Sequence, residues 1–330
     1  MLHALRRPCQ WTILPALLIG TLAGTAMAQP SGTAKVIRYM AYDKAVELVS
    51  GDTRVVLCPQ AGGRVLEYSL AGKNALFVDE AEREWQPGRE VPMSAGRFDI
   101  GPELVIPPRP VLWSGSWTAE ITGPRSARLV SQRDPATGVQ LTRDFELAAD
   151  STDLDCTQTI KNVSKQPVEW CHWSRTFATG NGICVIPLTA PSRFPNKYVM
   201  YEEGRLINCQ PEDPHIVERD GCLLITGVPR KPKLGFDSYA GWMAYVTRDG
   251  LAFVKRFKTY PDRVYNEAAG LTISVWYPED RRVELEPIGP RERLAPGESA
   301  SFTETWSLAR FDFPQDGPLD VKRLKQAIGE

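Results

Sequence analysis

Two glutamates and one histidine carry most of the chemistry this sequence offers. In Val283-Glu284-Leu285-Glu286 apolar and acidic side chains alternate, so on a strand Val283 and Leu285 face one side and both acids the other. A rise of roughly 3.3 Å per residue puts the two carboxylates about 7 Å apart along the strand. Facing a cleft, desolvation and mutual repulsion would raise at least one of them toward the range a general base needs. Facing water, they would pair with Arg281, Arg282 or Arg293. His172 lies in Glu169-Trp170-Cys171-His172-Trp173-Ser174-Arg175, a segment dense in aromatic and hydrogen-bonding groups. Imidazole is the usual proton shuttle near neutral pH. Strand alternation places His172 with Trp170 and Ser174 on one face, and Cys171 with Trp173 on the other. A tryptophan beside polar groups suits a sugar, whose C–H face is apolar and whose rim is hydroxyls. The competing reading of His172 is a hydrogen-bonded core residue.

Other chemistries find no support. There is no Gly-x-Ser-x-Gly and no phosphate-binding or dinucleotide glycine motif. No Cys-x-x-Cys is present, and beyond residue 28 only His172 and His215 remain as histidines, so no metal is expected. Cys209 and Cys222 flank a polar, proline-rich stretch and are candidates for a local disulfide.

The elements that must hold these groups are strands. Residues 1–28 read as an export signal, with Arg6 and Arg7 before an apolar stretch from Trp11 to about Met27 and a small-residue Ala26-Met27-Ala28 cleavage pattern. A membrane anchor is the rival, but Pro15, Gly20 and Gly24 break the run. Removing the signal leaves residues 29–330 with 37 basic against 40 acidic residues, expected as a single domain, monomeric and periplasmic or secreted. That balance, without a basic run interleaved with aromatics, argues against nucleic acid as partner, and no membrane association is expected after cleavage. From Val36 on, short segments of alternating or β-branched residues are separated by Gly, Pro, Asn and Asp, an all-β sandwich or barrel pattern. Val283–Glu286 and Phe302–Leu308, around the turn Leu294-Ala-Pro-Gly-Glu298, read as an antiparallel hairpin. Only Leu319–Ile328 reads as helix. Two long segments, Glu82–Arg109 and Thr189–Asp220, are expected to carry binding residues.

The order of these pieces resembles the aldose 1-epimerase (galactose mutarotase) superfamily, and specifically its exported bacterial branch, over roughly Val46 to Phe311. Gly62-Gly63-Arg64-Val65-Leu66 is similar to the family's opening, and Gly96-Arg97-Phe98 to its Gly-Arg-aromatic corner. Asn162-Val163-Ser164 followed by His172 resembles the segment carrying the family's general-acid histidine, and Glu286-Pro287 the strand carrying its general base. The resemblance implies an antiparallel β-supersandwich with a short C-terminal helix, a saccharide ligand and no cofactor. It implies Glu286 as base and His172 as acid in ring opening and reclosure, with Arg97, Trp170, Asp237 and Glu284 binding substrate. Two departures stand out: Ile106–Trp117 holds no counterpart of the family's second active-site histidine, and Gly101 stands near the place of a substrate arginine. These departures favour a non-catalytic carbohydrate-binding protein as the alternative to an epimerase.

Overall fold

The computed structural model describes residues 32–204 and 206–330; the export signal expected over residues 1–28 lies outside the described residues. Two antiparallel sheets stack face to face. The twelve-stranded sheet has Thr33–Tyr39 at one edge and Ile207–Asn208 at the other. Its centre runs Gly96–Gly101, Val168–Thr179, Arg282–Leu294, Ile273–Glu279, Lys233–Phe236. The ten-stranded sheet runs from Ile216–Arg219 to Thr118–Gly123 at its edges, with Ser299–Arg310 near its middle. A helix follows at Val321–Ile328, capped by the Asp320 side chain and stopped by Gly329 in the left-handed region. Among the described residues no helix is long and apolar enough to cross a membrane.

Inward-facing residues of both sheets form the main core. Phe98, Ile100, Leu285 and Val283 of the larger sheet are buried with Phe302, Trp306 and Leu308 of the smaller. This interior also holds charge. Lys255 and Glu304, both fully buried, pair at 3.0 Å, and the Lys255 ammonium donates to Ser174 at 2.7 Å and Thr176 at 3.0 Å. Each removes the other's unpaired charge from an apolar medium.

The hairpin expected around Leu294–Glu298 is not one. Arg282–Leu294 pairs with Val168–Thr179 and Ile273–Glu279 in the larger sheet, whereas Ser299–Arg310 pairs with Leu154–Asn162 and Leu251–Phe257 in the smaller. The turn carries the chain between sheets, because both strands bury one face against the same interior rather than bonding edge to edge. The alternation itself holds: Phe302, Glu304, Trp306 and Leu308 all point inward. The Cys209–Cys222 disulfide is not formed. All six described cysteines are free, with Cys209 exposed beyond one edge of the larger sheet and Cys222 buried in the smaller against the terminal helix.

The Gly62-Gly63 corner has a specific task. Gly62 has φ 74°, donates its N–H to Gly115 at 2.8 Å, and a Cβ there would sit 2.2 Å from the Trp113 carbonyl oxygen. A side chain would push away the short helical turn Pro110–Trp113, which reaches the outer face of the larger sheet.

Candidate functional site: a charged cleft on the larger sheet

Alternation along three adjacent strands builds one charged outer face. On Gly96–Gly101, Phe98 and Ile100 enter the core, leaving Arg97 and Asp99 outside it. On Val168–Thr179, Ser174 and Thr176 meet Lys255 in the interior, so Trp173, Arg175 and Phe177 point the other way. In register, Phe177 lies opposite Glu284 and Thr176 opposite Leu285, which puts Glu284 and Glu286 on the face of Trp173 and Arg175.

The side chains form two adjoining runs of ion pairs. Arg109 donates to Asp99 at 2.6 Å. Asp99 lies 3.6 Å from Arg175, which donates to Glu284 at 2.9 and 3.2 Å. Next along the strand, Glu286 accepts from Trp173 Nε1 at 3.1 Å and from the Lys233 ammonium at 2.6 and 2.8 Å. Lys233 also approaches Glu103 at 3.5 Å. Both carboxylates are completely buried, whereas Arg175 and Lys233 keep a tenth of their side-chain surface exposed. The cations thus cover the acids.

Burial, reinforced by the Glu286 charge, pushes Glu284 up to about 8 against the opposing pull of Arg175. Burial works in the same direction on Glu286, but the Lys233 ammonium, the Glu284 carboxyl and Arg175 outweigh it and hold Glu286 below the ordinary carboxylate range. The two carboxyls therefore titrate as one coupled pair, in which Lys233 holds Glu286 ionised.

Above this layer lies a cavity of about 380 Å³, walled by Arg175, Lys233, Glu103, Tyr201 and Trp276. Its size falls within the range of about 300–1,000 Å³ typical of small-molecule sites. Both long segments singled out in the sequence reach it, one through Glu103, the other through Tyr201. Behind Tyr201 is Glu267, fully buried, accepting from the Tyr201 hydroxyl and from the Glu103 backbone N–H at 2.8 Å each. Burial pushes its carboxyl up to about 7. Among the described residues no three His, Cys, Asp or Glu side chains come together as a metal-binding group.

The expected site residues are scattered relative to this cleft. Glu284 and Glu286 lie beneath it. His172 does not join them: it points between the sheets, stacked between Phe98 and Phe302 at 5.8 and 5.7 Å, with Nε2–H donating to Ala300 O at 3.1 Å. It shares the Ser174 face, as alternation required, but that face is the interior one. Burial pushes its pKa down to about 4, so it is a neutral core residue. Trp170 follows the same inward parity, packing against the main core and donating its indole N–H to Thr137 O at 3.0 Å. Arg97 is buried beside the cleft, donating to the carbonyls of Trp113 and Pro92 at 2.8 and 2.6 Å with its guanidinium over the Trp113 ring. Asp237 accepts from Ser192 Oγ at 2.8 Å and Arg193 N at 2.7 Å, fastening a loop. Arg97, Trp170 and Asp237 are held by contacts within the chain, none of them on the cavity wall. The sequence reading missed Arg175, Lys233, Tyr201 and Glu267. Arg175 had a signal, since it lies two residues beyond Trp173 on the same strand face.

The fold is shared with solved structures, three of which illustrate the likeness. A putative aldose 1-epimerase from Escherichia coli K12 superposes with TM-score 0.57 at 13% identity, covering 85% of this chain and all of that one. A galactose mutarotase-like protein from Lactobacillus casei gives 0.55 at 9%, covering 80% and 99%. A galactose mutarotase related enzyme from Lactobacillus acidophilus gives 0.55 at 10%, covering 83% and 100%. No curated protein matches the chain. The sandwich is galactose mutarotase-like, and because residues 101–309 match the model of the family described as "Domain of unknown function (DUF4380)", the chain belongs to that family.

Proposed function

We propose that this chain binds a saccharide in the cleft above Glu284 and Glu286, and that it does not mutarotate sugars through Glu286 and His172. The observation that carries this reading is the layering. Trp276, Tyr201, Glu103, Arg175 and Lys233 surround a sugar-sized cavity, offering an aromatic face and hydrogen-bonding groups of both kinds. The two glutamates serve as counter-ions beneath, and an acid–base pair split between the two faces of a sheet cannot act on one ring. The leader-like residues before Gln29 favour a site of action outside the cytoplasm.

Glu267 favours a second reading, in which turnover persists with different groups. Its carboxyl, pushed up to about 7, is joined to a phenol on the cavity wall, a pairing able to pass a proton at neutral pH. Screening a glycan panel, then titrating each hit calorimetrically against wild type and Trp276→Ala, tests binding. Affinity should drop about tenfold, some 1.4 kcal/mol; an unchanged affinity places the sugar elsewhere. Polarimetry of freshly dissolved aldoses with wild type, Glu286→Gln and Glu267→Gln tests turnover. Rates equal to buffer for all three are expected from binding alone, and acceleration lost only in Glu267→Gln would establish the second reading.

A further inference from the structure

A second cavity, of about 960 Å³, lies away from the cleft, where the edge strands Thr33–Tyr39 and Thr118–Gly123 of the two sheets part. Its walls are mostly apolar, among them Val36, Val46, Trp85, Val111, Trp117 and Ile121. Val36 is 60% exposed and Ile121 39%, a marked exposure for β-branched apolar residues facing one hollow. Its charged lining residues are Lys44 and Arg89, both exposed, with no acid beside them in the lining. Among the described residues no ion pair involves Lys44 or Arg89, so neither cation has a carboxylate partner there.

We propose that this cavity binds a free single-chain amphiphile with an anionic head, of the fatty-acid class. The apolar walls take the chain, whose transfer from water is favourable by roughly 25 cal/mol per Å² buried. Lys44 and Arg89 at the rim take the carboxylate. The site shares no wall residue with the saccharide cleft, so either can fail without the other.

Calorimetric titration of the purified protein with dodecanoate below its micelle concentration tests the proposal. Dodecan-1-ol and dodecyltrimethylammonium serve as neutral and cationic probes of equal chain length. One saturable dodecanoate site per chain is expected, with the alcohol weaker and the cation weakest. The doubly reversed K44E/R89E, altering only exposed side chains, should weaken dodecanoate about tenfold, the scale of two partly screened charge contacts. Val111→Asn, placing a neutral polar group in the apolar wall, should weaken dodecanoate and alcohol alike. Absence of saturable dodecanoate binding overturns the proposal, as does equal affinity for all three probes or for wild type and both variants. Charge-dependent binding to phosphatidylglycerol vesicles or to an acidic peptide, with none to free dodecanoate, also overturns it in favour of those partners.

Discussion

His172 and Glu286 belong to neighbouring strands but point to opposite sides of the same sheet. His172 donates to Ala300 of the facing sheet at 3.1 Å, while Glu286 accepts from Lys233 beneath the outer cleft. Parity of register decides this. Thr176 sits opposite Leu285 and Phe177 opposite Glu284, so even-numbered residues of one strand share a face with odd-numbered residues of the other. A shift of one residue would have put imidazole and carboxylate on the same face of the sheet.

As a core residue, His172 should govern stability rather than activity. Its pKa is lowered from 6.5 to about 4 on folding. The unfolded chain therefore takes the proton first as pH falls. The stabilisation is complete above pH 6.5 and is lost progressively down to about 4. That shift corresponds to about 3 kcal/mol. Urea denaturation across this window should show wild type losing about that much more stability than His172→Gln; parallel curves would mean that His172 is not desolvated.

The covering of Glu286 by Lys233 makes a second expectation. Glu286→Gln leaves an ammonium buried beside Trp173 with only Glu103, at 3.5 Å, as its carboxylate. Breaking a buried pair from one side costs about 3–5 kcal/mol. Adding Lys233→Met removes the stranded charge, so the double variant should be more stable than Glu286→Gln alone. A double variant that loses the full sum of the single effects would show the two groups to be uncoupled.

Glu267 gives the opposite pH signature. Its folded pKa is raised from 4.5 to about 7. Its contribution is fully present below pH 4.5 and is lost as pH rises to about 7. Across that range the stability advantage of wild type over Glu267→Gln should shrink by about 3 kcal/mol. An advantage independent of pH would indicate that the carboxyl is ionised throughout and unsuited to passing a proton.

The periodicity of single strands was fully legible in the sequence. Alternation in Val283–Glu286, Trp170–Ser174 and Phe302–Leu308 sorted side chains by face correctly in each segment. What alternation does not contain is the relation between segments. Which face looks inward on one strand relative to its neighbour depends on register, and whether two consecutive strands pair depends on the sheet each joins. For that reason the strand patterns suggest a hairpin at Leu294–Glu298 that does not form, and the family resemblance pairs His172 with a glutamate on the opposite face. Lys233 was invisible for the same reason: it lies about fifty residues from the glutamates and reaches Glu286 only through the sheet order.

The Gly62 corner offers a prediction whose control is built into the same sheet. Gly62 and Gly51 both have positive φ, 74° and 53°, so alanine at either position meets the same backbone penalty, roughly 1–2 kcal/mol. Around Gly51 a Cβ would find nothing within 4 Å, whereas at Gly62 it would lie 2.2 Å from the Trp113 carbonyl. Relief requires the Pro110–Trp113 turn to move, and that carbonyl is also the acceptor for Arg97 at 2.8 Å. Arg97 would then be left buried with one fewer partner, an added loss of about 1–3 kcal/mol. Urea denaturation should therefore rank Gly62→Ala well below Gly51→Ala, and near-ultraviolet circular dichroism should report a changed Trp113 environment only in the former. Equal losses at the two positions would mean that the corner is chosen for its φ angle alone and does not place Trp113 over Arg97.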